Sequence, residues 1–81
     1  MNITIFFSVD GIPETGLTPT ITIIKLDGTT IVSSATVTEL VSGYYNYEFT
    51  GYDPSITYAV IADGGAGLVG GERYKTEVIS R

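Results

Sequence analysis

The sequence predicts an all-β domain, an antiparallel β-sandwich of six to seven strands, and three observations predict it. Apolar residues alternate with polar ones in several separate runs, the period of a strand with one buried face. Turn-forming residues recur about every 8–12 positions between those runs, the spacing of two packed antiparallel sheets. No stretch places apolar residues at helical spacing while β-branched residues abound, so no helix longer than one turn is expected. At 81 residues the chain is one domain, residues 1–81, without room for a second core.

The first strand runs from Asn2 to Asp10, where Ile3, Ile5, Phe7 and Val9 alternate with polar residues and only Phe6 breaks the pattern. A turn-rich connection follows over Gly11 to Gly16, because Gly relaxes φ and Pro13 removes a ladder donor. The second strand, near Thr18 to Leu26, carries Ile21, Ile23, Ile24 and Leu26. Its inward face shifts by one residue, as a bulge or strong twist near Ile24 would produce. Asp27-Gly28 between two β-branched runs marks a hairpin. The returning strand, Thr30 to about Val37, is rich in Ser, Thr and Ala and belongs at an edge or on a solvent face, after which Leu40 should help close the core. Gly43 opens the strongest strand, Tyr44 to Thr50, with Tyr45, Tyr47 and Phe49 facing inward. A turn over Gly51 to Ser55 leads to a strand with Ile56, Tyr58, Val60 and Ala62 on one face. The glycine-rich stretch to Gly71 reads as a flexible loop, and Glu72 to Ser80 as the last strand.

Charge and residue types narrow the chemistry. Four Lys and Arg against nine Asp and Glu give a net charge of -5, which repels phosphate backbones and anionic headgroups, so neither nucleic acid nor a membrane is an expected partner. The chain has no Cys and no His, which removes thiolate chemistry and the usual general base. Asp10, Glu14, Asp27, Asp53 and Asp63 fall in turns, where Asp is favoured because it bonds nearby backbone amides, and no D-x-D-x-D spacing gathers oxygens for calcium. Lys25 and Lys75 lie on expected strands and partner no nucleophilic Ser motif. Gly65-Ala66-Gly67-Leu68-Val69-Gly70 matches Gly-x-Gly-x-x-Gly, but that motif works by aiming a helix at a pyrophosphate within a parallel βαβ unit. The residues that follow it here alternate like a strand. The Asn2-Ile3-Thr4 sequon reads as strand sequence, since the start of the chain lacks the positive region of a secretory leader. No catalytic residue, metal or cofactor is expected.

Tyr is the one excess that would carry function, because its ring is apolar and its tip polar. Tyr45, Tyr47 and Tyr58 follow the core pattern, whereas Tyr44, Tyr52 and Tyr74 are candidates for the outside, where each would stack on sugar rings or seat against a neighbouring subunit. Phe6 and the Leu68-Val69 pair are apolar at positions expected to be exposed, which suits protein contact. The bland reading, ordinary packing on a sheet, applies to each of these residues too.

The run Gly16-Leu17-Thr18-Pro19-Thr20-Ile21-Thr22-Ile23, then Leu26-Asp27-Gly28-Thr29, Thr38-Glu39-Leu40, Gly43 to Thr50, and Tyr58 before Asp63-Gly64-Gly65 resembles a recurrent small module. It is similar to the immunoglobulin-like or prealbumin-like sandwiches of tailed-phage virion proteins, among them decoration, tail and fibre components. The resemblance spans roughly Gly16 to Tyr74 and rests on turns and core positions, which specify fold rather than activity. It implies a non-enzymatic structural subunit located in the virion, bound to other virion or filament subunits in a homo-oligomeric or otherwise symmetric assembly. Related patterns in extracellular adhesin stalks and carbohydrate-associated β domains imply the alternative, a carbohydrate-binding or adhesion module that uses exposed Tyr residues outside the cell.

Overall fold

The computed structural model describes residues 1–79. Nine strands follow in chain order: β1 (Asn2–Phe6), β2 (Ser8–Val9), β3 (Ile12–Pro13), β4 (Thr20–Lys25), β5 (Thr30–Thr36), β6 (Thr38–Val41), β7 (Tyr44–Glu48), β8 (Tyr58–Asp63) and β9 (Tyr74–Ile79). A single helical turn, α1 (Gly70–Arg73), precedes β9. All pairings are antiparallel, in a three-stranded sheet ordered β1-β7-β6 and a four-stranded sheet ordered β5-β4-β8-β9, with β2 and β3 forming a separate ribbon. The expected all-β sandwich is therefore the fold. Seven of its strands have four residues or more.

The alternation read from the sequence places the core. Ile3, Ile5 and Tyr45 from the smaller sheet meet Ile21, Ile23, Tyr58, Val60 and Ala62 from the larger one. Phe7 and Leu68 fill one end, and Phe49 the other, where it meets Tyr58 edge-on at 5.0 Å with Tyr52 packed beside both. Such edge-to-face contacts suit the ring quadrupoles.

Turn chemistry sets the connections. The Asp27-Gly28 hairpin forms, with only Gly28 in the left-handed region (φ 93°) and the Asp27 carboxylate accepting from the Thr29 amide. Two more two-residue turns have positive φ at both central positions, Asp10-Gly11 and Ser42-Gly43, the backbone twist that joins antiparallel strands without splaying them. The first of them ends the expected Asn2 to Asp10 strand early: the chain leaves β1 at Phe7 and folds back as the β2-β3 ribbon, so the expected loop after Gly11 begins with a strand.

Other expectations need correction. The irregularity expected in the second strand belongs to its neighbour. β4 keeps unbroken register with β8, whereas β5 carries the surplus residues opposite the Ile21 to Ile24 stretch, with Ser34 at φ 49°. Ile24 consequently faces outward and Leu26 is exposed. Leu40 does not close the core and is 60% exposed, because period two from the buried Val37 puts Glu39 inward and Leu40 outward. The glycine-rich stretch is an ordered turn and α1 rather than a loose loop, and the Gly-x-Gly-x-x-Gly residues lead into an antiparallel strand, with no parallel βαβ unit. The last strand, expected from Glu72, starts only at Tyr74 because Glu72 and Arg73 belong to α1, and its expected reach to Ser80 lies outside the described residues.

Candidate functional site

Both sheets end in edge strands, so the sandwich has two flanks. On one flank β5 passes into β6, and Val37 carries the chain from sheet to sheet while its amide bonds Pro19. The Glu14 to Pro19 segment covers this side. The Tyr45 hydroxyl donates to the Glu14 carbonyl (2.8 Å) and accepts from the Leu17 amide (3.1 Å). Glu39, which shares the inner face with its cross-strand partner Tyr45, accepts from the Gly16 amide (3.0 Å). This flank is covered, and no buried side-chain nitrogen or oxygen among the described residues lacks a hydrogen-bond partner.

The other flank, between β1 and β9, has no such cover among the described residues. Two adjoining cavities of about 190 and 170 Å³ run along it and share Thr4 and Glu77. In the larger, Val60 and Ala62 form the floor, Thr4 to Phe6 one wall and Lys75 to Glu77 the other. Strand geometry fixes what the walls present. The bonds from Phe7 to Gly43 and from Phe49 to Met1 place odd-numbered β1 residues in the closely bonded pairs with β7. The amides and carbonyls of Asn2, Thr4 and Phe6 therefore point into the flank. On β9 the side chains of Lys75, Glu77 and Ile79 lie on the inner face, level with Ala62, Val60 and Tyr58. Two charged side chains thus occupy inward positions where a closed sandwich would bury apolar ones.

The outer faces differ in polarity. On the smaller sheet Asn46 bonds both Thr4 and Asn2, a polar ladder that ends at the tilted Phe6-Tyr44 ring pair, centroids 4.7 Å apart. On the larger sheet Ile24, Ala59 and Val78 stand side by side across β4, β8 and β9, next to Ile61. The one charged side chain that β4, β8 and β9 present there is Asp63, held by Arg73 at 2.7 and 3.0 Å. Interface cores are depleted of charge in the same way.

The residues singled out from the sequence separate accordingly. Phe6 and Tyr44 come together, 37% and 46% exposed, on the outer face of the smaller sheet, and Phe6 also lines the larger cavity. Tyr74 is half exposed at the start of β9, with the Arg73 guanidinium 4.9 Å over its ring. Val69 is 68% exposed beside α1. Leu68 is corrected: it is 8% exposed and packs into the core, touching the same side of Gly64 as Phe7 does, so it offers no outer surface. Tyr52 is corrected as well, being half-buried against Phe49 and Tyr58 at the opposite end. Sequence reasoning missed Lys75, Glu77 and the backbone of Asn2 and Thr4. The available signal was that Lys75 and Glu77 share the phase of Ile79.

Three of the nine acidic residues, Asp27, Asp53 and Asp63, are engaged by their own turns. Bonds from Thr29 hold Asp27, and bonds from Ser55 hold Asp53, below the ordinary carboxylate value. Arg73, and then the Gly65 amide, lower Asp63 in the same direction. Among the described residues no group of three or more His, Cys, Asp or Glu converges on a point that would hold a metal ion, and no helix is long and apolar enough to cross a membrane. Comparison with family models, curated proteins and solved structures yields no match, so a reading of function rests on the geometry of this chain.

Proposed function

We propose that the chain is a non-enzymatic assembly subunit that joins a larger symmetric structure through its unpaired strand edge and exposed apolar residues, as a decoration, tail or fibre component of a phage virion. The observation that carries this reading is the open flank, where the unpaired backbone groups of Asn2, Thr4 and Phe6 on β1 face two adjoining cavities. Edge backbone groups template pairing with another chain, and a small domain gains stability when a neighbour covers its core. The charge-poor outer face of the larger sheet supports the same reading. The phage setting is supported by the sequence resemblance alone.

The test is to locate the protein in intact particles or fibres by electron microscopy, with solution scattering of the isolated chain alongside. Phe6, Tyr44 and Val69 are expected at contacts between subunits. Monomers in solution and solvated Phe6, Tyr44 and Val69 in every particle would end the proposal.

A second reading, carbohydrate binding, is favoured by the two half-exposed rings of Tyr44 and Tyr74. It predicts glycan-array binding that a Tyr44→Ala or Tyr74→Ala change abolishes.

A further inference from the structure

We infer that Asp10 is a site of spontaneous backbone modification, where the link to Gly11 passes through a succinimide to isoaspartate, and that the fold directs this chemistry there and away from Asp27 and Asp63. Three of the four Asp residues precede Gly, whose nitrogen is the least shielded because there is no Cβ beside it. Asp53 precedes Pro54, which has no N–H to give. The chemistry open to each Asp-Gly pair is the same. The Gly nitrogen bonds to Cγ of the Asp, and the carboxyl OH and the amide proton leave as water. Water then opens the five-membered ring. Entry at Cγ restores Asp, whereas entry at the main-chain carbonyl carbon leaves the chain running through Cγ, with one more methylene in the backbone and the carboxylate on Cα. One water leaves and one returns, and no other reactant is needed.

The three pairs differ in whether the two reacting groups are free. At Asp27 the Gly28 amide donates to the Lys25 carbonyl (3.0 Å), and the carboxylate accepts from the Thr29 amide (2.9 Å). At Asp63 the Gly64 amide donates to the Arg73 carbonyl (2.7 Å), and the carboxylate accepts from the Gly65 amide (2.9 Å) and the Arg73 guanidinium (2.7 and 3.0 Å). Bonds from Thr29 and from Arg73 also hold these two carboxyls below the ordinary value, in the ionised form that has no OH to lose. Asp10 and Gly11 are both exposed, and neither the Gly11 amide nor the Asp10 carboxylate has a partner among the described residues. Glu72 accepts from the backbone amide of Asp10 (3.1 Å), which leaves both reacting groups untouched. The turn is also the easiest of the three to distort. β2 and β3 pair only Ser8 with Pro13 and Val9 with Ile12, and Ile12 is 66% exposed, so little burial opposes local opening. Asp27 instead sits between strands of six and seven residues, and Asp63 lies on β8 between two neighbours. The added methylene should loosen the β2-β3 ribbon alone, since neither sheet shares a strand with it.

The test stores the folded full chain at neutral pH, digests samples over time and locates isoaspartate by electron-transfer fragmentation of the peptides. Isoaspartate should form at Asp10 about tenfold or more faster than at Asp27 or Asp63, because each of those must first break hydrogen bonds at both reacting groups. In concentrated urea, which removes the fold, the three rates should converge. Asp10→Asn and Asp27→Asn isolate the role of the amide, since an Asn side chain closes the same ring by losing ammonia and has no carboxyl to be held ionised. Ammonia loss, read as a mass change, should be about tenfold or more faster in Asp10→Asn than in Asp27→Asn. Equal rates at the three sites in the folded chain, or an earlier reaction at Asp27 or Asp63, would overturn the inference. A difference that persists unchanged in urea would do so too, because local sequence and not the fold would then select the site, and so would equal ammonia loss from the two Asn variants.

Discussion

The two flanks of this sandwich begin from similar parts and end differently. Each has an edge strand that turns a charged side chain toward the interior, Glu39 on β6 and Lys75 with Glu77 on β9. On the sealed flank the chain itself answers that charge, with the Gly16 amide on Glu39 and the Tyr45 hydroxyl bridging Glu14 and Leu17. On the open flank no described segment does so, and Val60 and Ala62 line the larger of two adjoining cavities. The connection between β3 and β4 therefore covers one side only. The difference separates the flanks: one is covered by the chain itself, and the other leaves the β1 backbone groups unpaired beside two cavities.

The comparison breaks most readily at Tyr45. Its ring is fully buried against Phe7, so Tyr45→Ala should lower unfolding free energy by about 3–5 kcal/mol in urea denaturation. Tyr45→Phe keeps the ring and orphans Glu14 and Leu17, for a loss of about 1–3 kcal/mol. Wild-type stability in Tyr45→Phe would mean that the hydroxyl does not seal the flank.

Next in size is Gly43, the turn residue behind β1. An added Cβ would sit 2.8 Å from the Phe7 carbonyl oxygen, at φ +87°, where side chains are strained. Gly43→Ala should therefore lose about 1–3 kcal/mol by overpacking, measured by thermal denaturation. A smaller loss would show that the end of β1 yields easily and that the open flank is soft there.

The paired edge charges sharpen the contrast further. Glu39→Leu removes the acceptor of the Gly16 amide and should lose about 1 kcal/mol. Glu77→Leu removes no hydrogen bond among the described residues and should change monomer stability by less than about 0.5 kcal/mol. It also strips a guard from β9, so light scattering should report more aggregation. Equal losses at Glu39 and Glu77 would erase the distinction between the flanks.

The smallest effect is that of pH. Arg73 holds Asp63 below its ordinary value of 3.8, so the folded state favours the ionised form. That contribution is fully present above the ordinary value and is lost as pH falls through the lower folded one. Asp27 and Asp53, lowered by their turn bonds, act in the same direction. Asp63→Asn should flatten part of the decline in melting temperature below about pH 4, with the residual slope from the other two.

Much of the fold was legible in residue order, for identifiable reasons. Ile3, Ile5, Tyr45, Tyr58 and Val60 announced their inward phase because each belongs to an apolar series that recurs at every second position of its strand. Thr30 to Val37 was legible as an edge through its small and hydroxylated residues. Less was legible at the site. Phe6 and Tyr44 were identified separately, but nothing in the sequence placed their rings in contact, since that follows from β1-β7 register. Leu68 misled because burial of a loop residue depends on the space that Gly64 leaves beside Phe7. The Asp10-Gly11 turn carries the same dipeptide as Asp27-Gly28 and was passed over, because the strands it joins are only two residues each.

By itself the sequence determined that strands form, roughly where they turn and which positions pair as faces, because side-chain alternation and turn preference are local properties of the backbone. Only tertiary structure decided which face of β9 looks inward, which edges remain unpaired, and that the cover lies over β6 rather than β1. Those outcomes depend on hydrogen-bond register between segments far apart in the chain, and a shift of one residue would have exchanged every inward side chain for its neighbour.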